Sequence, residues 1–211
     1  MNDKIHLNIS KPFGPSLGKV NIPENLIIKI NNYIDEVIEK NKEAAQLNDY
    51  GSSLAGQVKQ EIRLPKEIVQ GELLDYLISI SKTYVKLSCG QEITKFELMS
   101  TWIVRQFENE YNPIHTHGGH ISGVGYLKLP NNFGETFQNN KKNNFNGKLS
   151  LVHGSQMFSC KSTFTITPKV GDFYFFPNYL MHIVYPFYKK DEERRSISFN
   201  ALIDENIYNS F

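Results

Sequence analysis

The sequence is poor in cysteine and tryptophan and carries no bias of charge. Two cysteines, Cys89 and Cys160, stand among 211 residues and form no C-x-x-C pair. A thiol metal cluster and a disulfide scaffold are thereby set aside, and so few thiols fit a reducing compartment, where they serve as packing residues. Lys+Arg 23 against Asp+Glu 22 leaves a net charge of +1. That balance lacks the basic excess of a nucleic-acid-binding domain, so nucleic acid is not an expected partner. No apolar run approaches the roughly 18 residues of a membrane span. The residues from Met1 to His6 lack the apolar run of a secretory signal. A soluble, cytoplasmic protein without a membrane partner is expected. Hydrophobic residues make up 40% of the chain, enough for one real core at this length. With no internal repeat and no linker, residues 1–211 read as a single domain.

Three stretches differ in texture. Residues 1–20 mix short apolar pieces with Pro12, Gly14, Pro15 and Gly18 and read as an extended arm or edge strand. Residues 21–90 read as a helical support. Ile27, Ile30, Ile34, Val37 and Ile38 recur at helical spacing and predict one helix over 23–48, with Asn21 a candidate cap. Leu73, Leu74, Leu77, Ile80 and Tyr84 predict a second over 65–87. The segment 49–56 between them reads as a connector, with a flap near the pocket as the alternative. From residue 95 to 203 short strands alternate with Gly/Pro turns, at 96–104, 121–129, 147–152, 162–167, 172–176, 183–187 and 195–203. The Asn- and Lys-rich segment 131–148 reads as a surface insertion and candidate substrate lid. Helices followed by many short strands indicate an α+β domain with a sandwich or barrel core and helices on one sheet. Trp102 and Phe173 to Phe176 read as packing within it.

The chemistry concentrates in the β-region. In Asn112-Pro113-Ile114-His115-Thr116-His117-Gly118-Gly119-His120, the two-residue spacing of His115 and His117 on a strand directs both imidazoles to one face. His182 lies 65 positions after His117 (182 − 117) and supplies the third candidate ligand. A close pair plus one distant residue is how a barrel assembles three ligands on a first-row metal, leaving open positions for a cosubstrate and dioxygen. His6 and His153 read as ordinary polar residues, and His120 as a pocket or surface residue. Further on, Arg194, Ser196, Ser198 and Asn200 share one face of a strand, while Arg195, Ile197 and Phe199 share the other. A guanidinium on an inward face needs an anion, and an Arg fork with a Ser hydroxyl suits a carboxylate. A dicarboxylate that chelates the metal at one end and meets this arginine at the other is a physical description of 2-oxoglutarate. Two alternatives stand beside it. Arg194 pairs with Asp191 or Glu192 at the surface, or Arg195 takes its place if the register slips by one. Arg105, Gln106 and Asn112 are weaker pocket candidates.

These elements, in this order, resemble the Fe(II)/2-oxoglutarate-dependent oxygenases, and most closely an uncharacterised bacterial and phage branch. The run is His115-Thr116-His117, Ser122-Gly123-Val124-Gly125-Tyr126-Leu127, Gly171-Asp172 with Phe176-Pro177, His182-Ile183-Val184, and Arg194-Arg195-Ser196-Ile197-Ser198-Phe199-Asn200. The resemblance covers residues 95–203. It implies a double-stranded β-helix (jelly-roll) core with the N-terminal helices packed on the larger sheet. It also implies His115 and His182 as Fe(II) ligands, Arg194 with Ser196 as the cosubstrate carboxylate site, and Tyr126 beside the cosubstrate. The implied activity is oxidation of an unidentified substrate, most often hydroxylation, with 2-oxoglutarate and dioxygen. The chain departs from the family at His117, where Asp or Glu is usual; with it the metal set becomes His115, His117 and His182, and the ion is left more positive. Read from His117-Gly118-Gly119 instead, the pattern is that of the family's halogenases. A cupin-like metal- or ligand-binding module without oxygenase activity is the second class of reading. A zinc hydrolase needs a general base, for which no acidic residue stands out. Substrate specificity is expected in loops 49–60 and 131–147.

Overall fold

The computed structural model describes residues 14–138 and 140–210. Most of the expected N-terminal arm, with His6, lies outside the described residues; its last part is a short edge strand, β1 (Gly18–Asn21). Helix α1 (Glu24–Tyr33) runs into a π-helical turn at Ile34–Ile38, and α2 (Lys42–Leu47) follows. The single helix expected over 23–48 is thus broken. The cause is local: Asn41 adopts an extended backbone, and its side-chain oxygen accepts from the N–H groups of Glu43 and Ala44 at 3.0 and 3.1 Å. That is an N-cap, which restarts a helix rather than continuing one. Pro23, not Asn21, precedes α1.

After a 3₁₀ turn (Gly51–Ser53) comes β2 (Gln60–Arg63), a strand the sequence pattern does not reveal. The second helix is also divided, into α3 (Lys66–Val69) and α4 (Glu72–Cys89). Gly71 between them takes φ +84°, a conformation that ends a helix and that glycine adopts without strain. The strands then follow as β3 (Phe96–Gln106), β4 (Asn112–His115), β5 (Ile121–Lys128), β6 (Leu149–Val152), β7 (Thr163–Ile166), β8 (Asp172–Pro177), β9 (Met181–Val184) and β10 (Arg194–Ile203), before a last turn, α5 (Glu205–Tyr208).

The strands form two antiparallel sheets, a larger one in the order β1-β8-β5-β10-β3-β2 and a smaller one in the order β4-β9-β6-β7. Period-two alternation decides what each face of the larger sheet meets. One face carries Ile62, Ile103, Ile197, Phe199, Phe173 and Phe175, and it packs with Leu26, Ile30, Leu73 and Leu77 of α1 and α4 in one cluster. The edge of Tyr76 meets Phe173 with ring centroids 6.1 Å apart. The other face carries Val124, Tyr126, Tyr174 and Phe176, which pack with Leu149, Leu151, Ile166 and Val184 of the smaller sheet. Each such side chain contributes about 1.5–3 kcal/mol by leaving water.

The two glycines of the Ser122–Leu127 stretch are explained here. A Cβ on Gly125 would lie 2.4 Å from the Phe173 ring and 2.7 Å from Ile22, and one on Gly123 would lie 2.5 Å from the Phe199 ring. The strand is bare at these positions because aromatic rings cross directly over its backbone. The insertion at 131–148 is anchored rather than lid-like. Asn146 Nδ2 donates to the carbonyls of Phe133, Gly134 and Glu135, and Phe137 packs on Tyr188 at 4.5 Å. Cys89 is half-buried, Cys160 is exposed rather than a packing residue, and both are free thiols. Among the described residues no helix is long and apolar enough to cross a membrane.

Candidate metal centre and its cavity

His115 ends β4 and His182 sits in β9, and the antiparallel register places them directly opposite one another. Directly paired residues point to the same face, so the two rings meet across the ladder, 4.3 Å apart between centroids. His117 arrives differently from expectation. It is not on the strand with His115 but two residues beyond its end. Its position is set by Asn178: the His117 N–H donates to the Asn178 carbonyl at 2.9 Å, and Asn178 Nδ2 returns a hydrogen bond to the His117 carbonyl at 3.1 Å. The Tyr208 hydroxyl, donating to Asn178 Oδ1 at 3.0 Å, holds that amide in turn.

The three imidazoles offer ligand nitrogens that all lie within 4.8 Å of one another. His117 Nε2 and His182 Nε2 are 3.0 Å apart. Two nitrogens bound at about 2.1 Å and at right angles on one ion would stand about 3 Å apart, so the spacing fits. Ring orientation fits too. His115 Nδ1 donates to the Pro113 carbonyl at 2.7 Å and His182 Nδ1 to the Leu180 carbonyl at 2.8 Å. A protonated Nδ1 leaves Nε2 with its lone pair free for a metal, the usual role of such carbonyls. Burial pushes all three imidazoles below their ordinary pKa, and for His117 and His182 mutual repulsion with neighbouring histidines adds to this, bringing them to about 3 and about 4. The donors are neutral at pH 7, as ligation requires. Among the described residues no carboxylate joins the set. His120 does not belong to it: it is buried, neither in the cavity nor at the surface, accepts from the Ile203 N–H at 3.1 Å and stacks on Tyr208.

The cavity beside the histidines has a volume of about 440 Å³ and is lined by His115, His117, His182, Arg194, Ser196, Ser198 and Asn200, among others. Arg194 is 1% exposed. Its Nε donates to the Gly147 carbonyl at 3.1 Å and Nη1 reaches Ser196 Oγ at 3.4 Å, while Nη2 has no partner among the described residues. The guanidinium lies over the Tyr126 ring, 5.0 Å from its centroid. The Tyr126 hydroxyl is fully buried and also unpartnered, and burial pushes it up to about 12. Arg194 makes no ion pair with Asp191 or Glu192, and burial lowers its pKa. Arg195 points the other way, to the helix-facing side, where Glu193 and Asp35 take its charge at 2.8 and 2.6 Å. The register therefore presents Arg194, and not Arg195, to the cavity. Arg105 is likewise occupied by Glu193 at 2.7 Å, and Gln106 by the carbonyls of Glu110 and Tyr185.

Several cavity residues escape the sequence pattern. Trp102 lines the cavity as well as packing the sheet, with its ring 5.6 Å from that of His117. Of the two loops expected to carry specificity, 49–60 contributes Tyr50, Ser53, Leu54 and Ala55 to the wall, whereas no described residue of 131–148 does. Most unexpected is Glu61. The face of the strand β2 that opposes Val104 turns its carboxyl to the cavity, so an acidic residue does line the cavity that holds the histidines. Only recognition of β2 as a strand, alternating Glu61 and Arg63 against Ile62, would have revealed it.

Residues 100–200 match the family model described as "Putative 2OG-Fe(II) oxygenase". No curated protein matches the sequence. Among solved structures, the chain is similar to the viral collagen prolyl hydroxylase vCPH from Paramecium Bursaria Chlorella virus-1, solved with 2-oxoglutarate, at 15% identity and a TM-score of 0.55 over 88% of this chain and 94% of that one. It is also similar to a Pseudomonas putida prolyl-4-hydroxylase, at 14% identity and 0.53 over 89% and 91%. A third likeness is to AviO1 from Streptomyces viridochromogenes Tue57, at 12% identity and 0.58 over 90% of each chain. At such identities the likeness speaks for the fold, the jelly roll of these oxygenases.

Proposed function

We propose that this protein is an Fe(II)/2-oxoglutarate-dependent oxygenase, an oxidoreductase of the kind described by the family model over residues 100–200, and that it hydroxylates a second substrate, with His115, His117 and His182 holding the iron and Arg194 with Ser196 binding the far carboxylate of 2-oxoglutarate. One observation carries the assignment. Three neutral imidazoles and a buried guanidinium without a counter-ion among the described residues open onto the same cavity. An uncompensated buried charge costs several kcal/mol, so the pocket is built for an anion that arrives from outside. Fe(II), when bound, would supply the redox chemistry by which dioxygen oxidises both partners, one oxygen atom going to 2-oxoglutarate as it becomes succinate and CO₂ and the other to the hydroxyl group of the second substrate.

The chain's own residues set the conditions for that chemistry. The carbonyls of Pro113 and Leu180 fix the tautomers of two ligands. Arg194 takes the carboxylate through its fork, and Ser196 adds a hydroxyl. Tyr126 lies behind the cavity wall with its ring under the Arg194 guanidinium, 5.0 Å from the ring centroid, and supports that side chain from behind. Val124, Leu149 and Val184 line the intervening wall with apolar surface that keeps water from the bound cosubstrate. In the same reading, residues 1–211 form one domain, the segment 21–90 buttresses the outer face of the larger sheet, and residues 95–203 form the jelly-roll core.

The test is succinate formation from 2-oxoglutarate with added Fe(II), in the slow turnover that proceeds without primary substrate. The wild type should release succinate, and His182→Ala and Arg194→Ala should each reduce it at least tenfold. Succinate release unchanged in His182→Ala, or none from folded, iron-loaded wild type, would overturn the proposal.

A further inference from the structure

Glu61 is 2% exposed, yet its Oε1 has no hydrogen-bond partner among the described residues, and it takes part in none of the ion pairs found there. The nearest cation on its own strand, Arg63, is engaged with the Tyr50 ring at 5.4 Å. Such a group is costly to keep. Burial is the main influence on it, and although Asn112 lowers its pKa, the net result with the charge of Asp49 is a rise to about 7. The fold nevertheless holds the carboxyl at the cavity wall. Loop backbone at Gly56 passes so close that a Cβ there would lie 2.6 Å from Oε1. The larger sheet's register aligns Glu61 with Val104 and then with Ser196 across neighbouring strands. Two strand spacings of about 4.8 Å separate its row position from that of Ser196. The cavity therefore carries, among the described residues, a guanidinium without a counter-ion toward one end and, at the β2 edge, a carboxyl without one.

The walls beside Glu61 are aromatic. Tyr50 and Trp102 both line the cavity, with ring centroids 6.0 Å apart. A carboxylate next to aromatic rings is the chemistry that selects a cation, since the ring faces add quadrupole attraction to the charge pair.

We propose that the primary substrate of this oxygenase presents a protonated amine or guanidinium group, and that Glu61, flanked by Tyr50 and Trp102, is the residue that recognises it. The inference rests on the reading of the cavity as an oxygenase active site, but its test does not need turnover. The two unpaired charges divide the cavity, Arg194 serving the anionic cosubstrate and Glu61 the cationic substrate. The same division keeps 2-oxoglutarate from binding in the substrate half, because its carboxylate would face Glu61 there.

Trp102 is the chain's single tryptophan, so its fluorescence reports on this wall alone. The experiment titrates the full-length protein, by itself and with Zn(II) plus 2-oxoglutarate, with n-butylguanidinium, n-butylammonium and the uncharged isostere n-butylurea. At least one cation should perturb Trp102 saturably, with an affinity at least tenfold above that of n-butylurea. Glu61→Gln, which keeps the shape, should erase that preference, and Glu61→Asp should retain part of it; thermal melts confirm that both are folded. Equal binding of cation and urea by the wild type, or a cation preference that survives in Glu61→Gln, would overturn the proposal. A protein that releases no succinate yet shows the cation preference would refute the oxygenase reading, and with it the substrate assignment, while leaving Glu61 as the residue that recognises the cation.

Discussion

Replacing Arg194 by methionine separates the cost of a buried charge from its use. Without ligand, the change removes a guanidinium that is 1% exposed and lacks a carboxylate partner among the described residues. Relief of that burial is worth about 1–4 kcal/mol. Against it stands the Gly147 carbonyl, which loses its 3.1 Å donor, at about 1–3 kcal/mol. The two nearly cancel, so the ligand-free variant should melt within a few degrees of wild type. With 2-oxoglutarate the outcomes diverge. At about 100 times its dissociation constant a ligand stabilises by about 2.7 kcal/mol, or roughly 5–11 °C for a domain of this size. Truncating one member of a buried charge pair costs about 2–5 kcal/mol, a rise in the dissociation constant of roughly 30- to 5000-fold. At the same 2-oxoglutarate concentration the variant should then gain less than about 1 kcal/mol, a shift under roughly 4 °C. Differential scanning calorimetry with Zn(II) in place of Fe(II) measures both quantities. A variant stabilised by 2-oxoglutarate as strongly as wild type would refute the assignment of Arg194, and a ligand-free variant that fails to fold would refute the reasoning on burial.

Other perturbations follow from the same geometry. Glu193 bridges Arg105 and Arg195 at 2.7 and 2.8 Å, and Glu193→Gln should destabilise by about 3–5 kcal/mol in a denaturant titration because two buried guanidinium groups lose their anion. Burial alone would raise the Glu193 pKa, but the hydrogen bonds and charges of Arg195 and Arg105 outweigh it and hold it at about 2. Its folded value is depressed, so its contribution is present above the unfolded value and fades as pH falls through the window from about 4.3 to about 2. Melting curves should lose that acid-side slope in Glu193→Gln. Gly125→Ala, whose methyl would lie 2.4 Å from the Phe173 ring, should cost about 1–3 kcal/mol by thermal melt, with Gly154→Ala, strained at φ +61° but with open space around it, losing no packing. His115→Ala should abolish the stabilisation by Zn(II) as fully as His117→Ala; retention of metal binding in His115→Ala alone would favour the ligand alignment that starts at His117.

What the sequence made legible, and what it hid, follows from element length. The strand β10 alternates over ten residues, and the contrast of Arg194 and Ser196 with Arg195 and Ile197 separates two faces, though only the register of the folded sheet decides which arginine meets the cavity. Long apolar stretches at β5 and β8 are equally plain, and the structure brings His182 to His115 as the spacing suggested. The argument from the His115–His117 spacing reached three converging rings for a partly mistaken reason, since His117 is positioned by Asn178 across a turn and not by strand alternation. Four-residue β2 carries two charged residues in an edge position, where charge is normal and masks the pattern, so Glu61 stayed hidden. Helical periodicity likewise ran through the Asn41 cap and through Gly71, because an apolar stripe does not register a local break in the backbone.

The most direct measurement is an anaerobic titration of the Fe(II)-loaded protein with 2-oxoglutarate, followed by visible absorption. A metal-to-cosubstrate charge-transfer band should rise to saturation at one equivalent, disappear in His182→Ala and require far more 2-oxoglutarate in Arg194→Met. Absence of the band in wild type that binds one Fe(II), or an undiminished band in His182→Ala, would contradict the claim that these residues jointly hold the iron and its cosubstrate.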